Sequence, residues 1–203
     1  MLSEYSLNKK PNFGLIEVIC GSMFSGKTEE LIRRIKKAKH YKYKTIVFKP
    51  KIDSRSHGNY ISTHKNNKHE AFTVSNENEI LKKSKSYQVI GIDEAQFFRN
   101  SLVTICNKLA NEGKRIIVAG LDMDFKGKPF GPMPYLMATA EFVSKLHAVC
   151  AKTGEMANYT HRKSKDKRLI KIGNDNEYEA ISRISFFNKK NIFDLILFLL
   201  NFT

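Results

Sequence analysis

The sequence predicts an α/β fold: a mostly parallel sheet with helices on both faces, followed by a small C-terminal subdomain. Three observations carry that prediction. Short apolar runs alternate with stretches whose apolar residues recur at helical spacing, which is the pattern of parallel strands joined by helices. A glycine-rich octet connects the first such run to the first such stretch. Beyond Leu146 the apolar runs thin out and polar residues dominate. With 203 residues, 41% hydrophobic and 27% charged, the chain suits one well-packed domain with a small appendage.

Residues 15–19 form the first predicted strand, and 29–39 the first helix. Between them lies Gly21-Ser22-Met23-Phe24-Ser25-Gly26-Lys27-Thr28, a complete phosphate-binding loop in the strand–loop–helix context that gives the pattern meaning. Its glycines let backbone N–H groups turn inward around phosphates, and the helix N-terminus adds partial positive charge. Lys27 would reach the β- and γ-phosphates of ATP, and the Thr28 hydroxyl would hold Mg²⁺. The fold class narrows accordingly to a P-loop NTPase-like, RecA-like sheet. Further strands are expected at 45–48, 89–92 and 116–119, with helices at 77–83 and 101–111. In such sheets ligands bind at the carboxyl ends of the strands. Residues 127–134, rich in Gly and Pro, read as a rigid loop after the fourth strand. The expected units are a nucleotide-binding domain at 13–146, a small subdomain at 147–187 and an apolar tail at 188–203.

The third strand runs into two acids, Asp93 and Glu94, followed by Ala95-Gln96-Phe97-Phe98. In phosphate-loop enzymes an aspartate at this place orders Mg²⁺, and a neighbouring carboxylate is placed to act as a base. Adjacent acids also cap helices, but an intact phosphate loop upstream favours the catalytic reading.

The net charge of +15 would suit a nucleic-acid partner. The lysines, however, are dispersed in short groups, there is no tryptophan, and no recognition motif accompanies them. No nucleic-acid partner is expected, and the charge serves to attract anionic nucleotides. No apolar stretch is long enough to span a bilayer, no apolar signal core opens the chain, and cysteines are confined to Cys20, Cys106 and Cys150. These point to a cytoplasmic protein with reduced thiols and no membrane partner.

The octet with its internal Met-Phe-Ser, the Asp93–Phe98 segment, and Gly120-Leu121-Asp122-Met123-Asp124-Phe125-Lys126-Gly127-Lys128-Pro129-Phe130-Gly131 together resemble the type II thymidine kinase family. Asp53-Ser54-Arg55 and Ser62-Thr63-His64 add to the match. The resemblance implies an ATP-dependent thymidine kinase acting in deoxynucleoside salvage, less well on deoxyuridine, as a homotetramer with thymidine triphosphate as feedback inhibitor. It implies Glu94 as the general base, and the octet, Asp53, Arg55, Asp93, Glu94, Ala95 and Gln96 as the ATP·Mg²⁺ apparatus. It places Met23, Phe97, Leu121, Phe125 and Phe130 around the thymidine. Thr160, the segment Leu169, Ile170, Lys171, Ile172, Gly173, and Tyr178 match the family's lasso over the base. A rival reading is a phosphate-loop ATPase coupled to nucleic-acid or protein binding, and a third is a nucleotide sensor without catalysis.

The chain departs from the family at its structural zinc, held elsewhere by two Cys-x-x-Cys pairs. The matching positions here are Cys150, Thr153, Ser182 and Ser185. Hydroxyls do not replace thiolates on zinc, so none is expected, unless His147 and His161 rebuild a site. The apolar stretch at 192–202 is too short to cross a bilayer and reads as a buried segment rather than a surface anchor.

Overall fold

The computed structural model describes residues 14–53, 60–62 and 68–188. Arg55, Thr63, His64 and the apolar tail lie outside them. In chain order the first half comprises β1 (Leu15–Gly21), α1 (Lys27–His40), β2 (Thr45–Pro50), β3 (Tyr60–Ser62), β4 (Lys68–Glu70), β5 (Phe72–Val74), α2 (Glu77–Lys83) and β6 (Val89–Ile92). A 3₁₀ turn at Ala95–Phe97 follows, then α3 (Ser101–Asn111), β7 (Arg115–Gly120), α4 (Met133–Thr139) and β8 (Phe142–Leu146). The last elements are short: β9 (Ala148–Val149), β10 (Met156–Ala157), β11 (Tyr159–Arg162) and β12 (Tyr178–Ile181).

Six strands form one sheet in the order β5-β2-β6-β7-β1-β8. Every pairing in it is parallel. Both faces of a parallel sheet are covered, so its inner strands are apolar throughout. Accordingly β2 and β7 are buried after their first residue, and β6 is buried along its whole length. One face carries Ile16, Val18, Ile90, Ile92, Ile116 and Val118 against Ile80 of α2, Leu102 and Leu109 of α3, and Met133 and Leu136 of α4. The other face carries Ile19, Val47, Ile117 and Ala119 against Leu31, Ile32, Ile35 and Ala38 of α1. The helical expectation for 29–39 thus resolves into a stripe at i, i+1, i+4 and i+7, facing the sheet. Glu29 and Glu30 in the first turn of α1 and Lys37, Lys39 and His40 in the last complement the helix dipole.

Glu17, in the middle of β1, is a buried carboxylate. Arg34 of α1 meets it at 2.7 Å and Arg115 of β7 at 2.5 Å, and Arg34 also donates to Ser144 of β8 at 2.8 Å. Pairing on both oxygens offsets the cost of burying that charge, and it ties α1 to three strands.

The four expected strands and three expected helices are present, with β1 extending to Gly21, β2 to Pro50 and α1 from Lys27 to His40. Elements not anticipated are the edge strands β5 and β8, the hairpin of β3 with β4, and α4, which begins inside the Gly/Pro-rich segment read as a loop. Pro134 stands in the first turn of α4, where its missing N–H costs nothing. After Leu146 the small strands pair antiparallel, β9 with β10 and β11 with β12. They share a core of Cys150, Ala157, Tyr159, Ile181 and Phe186. There the Tyr159 and Phe186 rings stack with centroids 4.4 Å apart. Among the described residues no helix is long and apolar enough to cross a membrane.

Candidate active site

Gly21, Asp93 and Leu121 follow or end β1, β6 and β7, and Asp53 follows β2, so the carboxyl ends of four strands converge. A cavity of about 600 Å³ opens there, within the range of small-molecule sites.

On one side the octet leaves β1 and enters α1 through Gly26, whose φ of 84° is left-handed. That conformation suits glycine and lets the loop wrap tightly before the helix starts. The Lys27 ammonium donates to the Ser22 carbonyl at 2.6 Å, and the Ser25 hydroxyl donates to the same oxygen at 2.8 Å. The Thr28 hydroxyl lies 3.1 Å from Oδ2 of the buried Asp93. Hydroxyl and carboxylate oxygens at the head of a helix suit Mg²⁺, which takes oxygen donors. Gly26, Lys27, Thr28, Asp53 and Asp93 all line the cavity, and the octet's N-terminal helix end suits a polyphosphate.

Glu94 adopts φ 51° and ψ 42°, a left-handed conformation that costs a non-glycine residue about 1–3 kcal/mol. Its surroundings hold it there. Its N–H donates to Asp93 Oδ1 at 3.0 Å, and its carbonyl accepts from Phe97 N at 3.1 Å. The Gln96 amide, itself buried, donates from Nε2 to Glu94 Oε2 at 2.5 Å and accepts the Leu121 N–H on Oε1 at 3.0 Å. Gln96 thus fixes the carboxylate and joins the end of β6 to the end of β7.

The opposite wall is apolar and aromatic. Phe97 and Phe130 meet edge to face with centroids 5.8 Å apart. The loop that carries Phe125 and Phe130 is clamped by Asp124, whose Oδ1 accepts from Lys126 N at 2.8 Å and Lys128 N at 2.9 Å. Gly131, at φ 53°, brings this loop against the backbone of Gln96: a Cβ there would sit 2.3 Å from the Gln96 carbonyl oxygen.

The third side comes from β11, β12 and the connection between them. Thr160 Oγ1 accepts the Met23 N–H at 2.9 Å, bonding the octet to β11. The Tyr178 hydroxyl donates to the Lys171 carbonyl at 2.7 Å.

The structure brings Met23, Phe97, Leu121, Phe125, Phe130, Thr160, Leu169 to Gly173 and Tyr178 together as lining of this one cavity. Gly21, Ser22, Ser25, Ala95 and Gln96, read from sequence with the nucleotide apparatus, do not line it. Ala95 and Gln96, in the 3₁₀ turn after β6, are buried. Glu29, Ile61, Met123, Asp124, Arg162, Asn174 and Asp175 line it without having been named as site residues from the sequence. Met123 and Asp124 carried a signal as members of the Gly120–Gly131 segment, and Asn174 and Asp175 as turn formers after Gly173.

Outside the cavity, the positions matching the family's zinc ligands also converge. Cys150 Sγ lies 3.9 Å from Ser185 Oγ, which accepts from Ser182 Oγ at 3.2 Å. Burial opposes ionisation of the Cys150 thiol. Hydrogen bonds from the Thr153 side chain and from backbone N–H groups of Lys152, Ser182 and Thr153 outweigh it and pull the thiol down to about 6. One thiol and three hydroxyls do not fit a structural zinc. His147 bonds Asn158 Oδ1 at 2.5 Å, and His161 faces Glu179 at 3.9 Å. Among the described residues no cluster of three or more His, Cys, Asp or Glu side chains is arranged to hold a metal. The other two thiols are simply buried: burial pushes Cys20 up to about 11 and Cys106 up to about 12.

Comparison with known proteins gives one family. The model of the family described as thymidine kinase matches residues 14–186. A thymidine kinase of Bacteroides fragilis is 48% identical over 183 residues, which cover 90% of this chain and 92% of the relative. One from Rhodothermus is 47% identical over 173 residues, covering 85% and 81%. Among solved structures, the flagellar accessory protein FlaH of Methanocaldococcus jannaschii aligns with a TM-score of 0.48 at 12% identity, over 72% of this chain and 76% of that one. The genome packaging NTPase B204 of Sulfolobus turreted icosahedral virus 2 aligns at 0.42 and 18%, over 65% and 74%.

Proposed function

The chain belongs to the thymidine kinase family, and we propose that its cavity transfers the γ-phosphate of ATP to the 5′-hydroxyl of thymidine. The observation that carries this reading is the position of Glu94. Its carboxylate is held by Gln96, and Glu94 lines the same cavity as the phosphate loop and the aromatic residues, where a hydroxyl to be deprotonated would bind. A phosphate-binding protein without an acceptor has no use for a carboxylate held there in a strained conformation.

The division of labour follows from the three sides of the cavity. Backbone N–H groups of the octet and the Lys27 ammonium bind the phosphates and stabilise the charge that spreads over the transferred group. Thr28 and Asp93 would hold Mg²⁺, which when bound neutralises charge on the phosphate oxygens. Glu94 accepts the hydroxyl proton or orients the hydroxyl for in-line attack. Phe97, Phe125 and Phe130 enclose a flat base. Main-chain groups of the connection at 163–177 supply fixed polar groups for its edge, as the family's lasso does.

ADP release with ATP, Mg²⁺ and each nucleoside in turn tests the reading. Thymidine should be the best acceptor, deoxyuridine weaker, and purine deoxynucleosides poor, since one methyl in a snug pocket discriminates by about 10- to 200-fold. ADP release independent of nucleoside would favour the ATPase reading, and equal rates with deoxyadenosine would remove the pyrimidine assignment.

A further inference from the structure

The cavity wall formed by β11 contains a buried cation that the proposed chemistry does not use. Arg162 is 4% exposed and stands directly across from Tyr178 in the β11–β12 ladder. Among the described residues it makes no ion pair. Its guanidinium donates instead to neutral oxygens. Nε reaches the Tyr178 hydroxyl at 3.1 Å, NH1 the Asp166 carbonyl at 3.0 Å and the Arg168 carbonyl, and NH2 the Leu169 carbonyl at 3.0 Å. Its Cζ lies over the Phe125 ring, 3.7 Å from the centroid. A buried charge without a counter-ion is costly unless several dipoles converge on it. Here carbonyl dipoles, a hydroxyl and an aromatic face do so together.

We propose that Arg162 is the positioning residue of the nucleoside pocket: it fixes the connection at 163–177 against Phe125 and Tyr178, so that the main-chain groups meant for the base edge are in place before the nucleoside arrives. The geometry asks for arginine specifically. Five donors in a flat fork reach carbonyls three residues apart while the face of the fork stacks on a ring. A lysine ammonium offers three donors from one point and no face. The bonds also form a relay. Arg162 holds Tyr178, and the Tyr178 hydroxyl holds the Lys171 carbonyl, two residues before Gly173. On the same face of β11, two residues before Arg162, Thr160 bonds the octet through Met23. One strand therefore sets the nucleoside side through Arg162 and the phosphate side through Thr160.

This proposal rests on the thymidine kinase reading, and its test keeps the two apart. Arg162→Lys in the full chain should raise KM for thymidine by about tenfold or more, since it removes pre-organisation of binding groups, with KM for ATP within about twofold. In hydrogen exchange, amides of residues 166–171 should lose protection while those of β1, β6 and β7 keep theirs. Phe125→Leu, which leaves the arginine and removes its stacking partner, should accelerate exchange of the same amides and serves where Arg162→Lys does not fold. An unchanged KM for thymidine with unchanged protection at 166–171 would overturn the proposal. So would a loss of protection spread evenly over the sheet, which would mark Arg162 as a general structural residue. A wild-type chain that phosphorylates no nucleoside would remove the kinase reading, and the exchange measurement would still decide the role of Arg162.

Discussion

Replacing Thr153, Ser182 and Ser185 together by cysteine should convert the small subdomain into a zinc-binding one. The reasoning is geometric. Zinc bonds four thiolates at about 2.3 Å, so tetrahedral sulfurs stand about 3.8 Å apart. Cys150 Sγ and Ser185 Oγ are already 3.9 Å apart, and Ser182 and Ser185 oxygens 3.2 Å. The longer C–S bonds shift the new sulfurs by only a few tenths of an ångström, which rotamer adjustment absorbs. The backbone N–H groups of Lys152, Thr153 and Ser182 that draw the Cys150 thiol down to about 6 are already aimed at the sulfur, and such bonds favour a thiolate whether or not metal is near.

The gain follows from mass action. With free zinc about a thousandfold above the dissociation constant, binding to the folded state alone stabilises it by about 4 kcal/mol. For a chain of 203 residues, each kcal/mol raises Tm by about 2–4 °C, so the triple variant should melt roughly 8–16 °C higher with zinc than after chelation. Elemental analysis after dialysis should find one zinc per chain in the variant and none in the wild type, whose activity should survive zinc-selective chelation. Stoichiometric zinc in the wild type would show that one thiol and three hydroxyls, with a rearranged histidine, suffice as ligands. A triple variant that folds but takes up no zinc would show that the 3.9 Å spacing reports hydrogen bonding rather than a retained ligand geometry.

Other expectations follow from the same geometry. Glu94→Gln should bind ATP normally and lose phosphoryl transfer by about a hundredfold or more in kcat, whereas Lys27→Ala should weaken nucleotide binding and turnover together; turnover of Glu94→Gln near the wild-type rate would remove Glu94 as base. Gly131→Ala should destabilise the chain by more than about 1 kcal/mol in urea unfolding, because the residue is left-handed and its Cβ would collide with the Gln96 carbonyl. Activity should fall beyond the loss of folded protein as Gln96 shifts from Glu94. The Cys150 thiol, held at about 6 when folded against about 9 free, contributes stability that is complete above pH 9 and is lost as pH falls through 6. The stability difference between wild type and Cys150→Ser should therefore widen from pH 6 to pH 9, and a difference independent of pH would refute the low thiol value.

The parts of this molecule that were legible in the sequence are those whose chemistry is local. The octet could be read because phosphate binding needs glycines, a lysine and a hydroxyl within eight consecutive residues, and Asp93 and Glu94 because they end an apolar strand. β8 was not, because an edge strand is covered on one face only. Its Ser144 and Lys145 break the apolar run that marks the inner strands, and its burial is only partial. β5 has three residues, too few for any period to show, and α4 hid behind prolines that the first helical turn tolerates. Gln96 stands in the same Asp93–Phe98 motif, yet the motif does not show its work in the fold, where its amide bonds Glu94 and Leu121. The partners of such supporting residues come from distant segments: Leu121 for Gln96, Thr160 for Met23, Phe125 and Leu169 for Arg162. Neither partner alone has a distinctive neighbourhood in the chain. A ligand-touching residue is constrained by the ligand, whose chemistry is known beforehand, so its type and spacing can be recognised. A residue that holds it in place is constrained by the fold, and its role becomes visible only when the sheet has brought the two segments together.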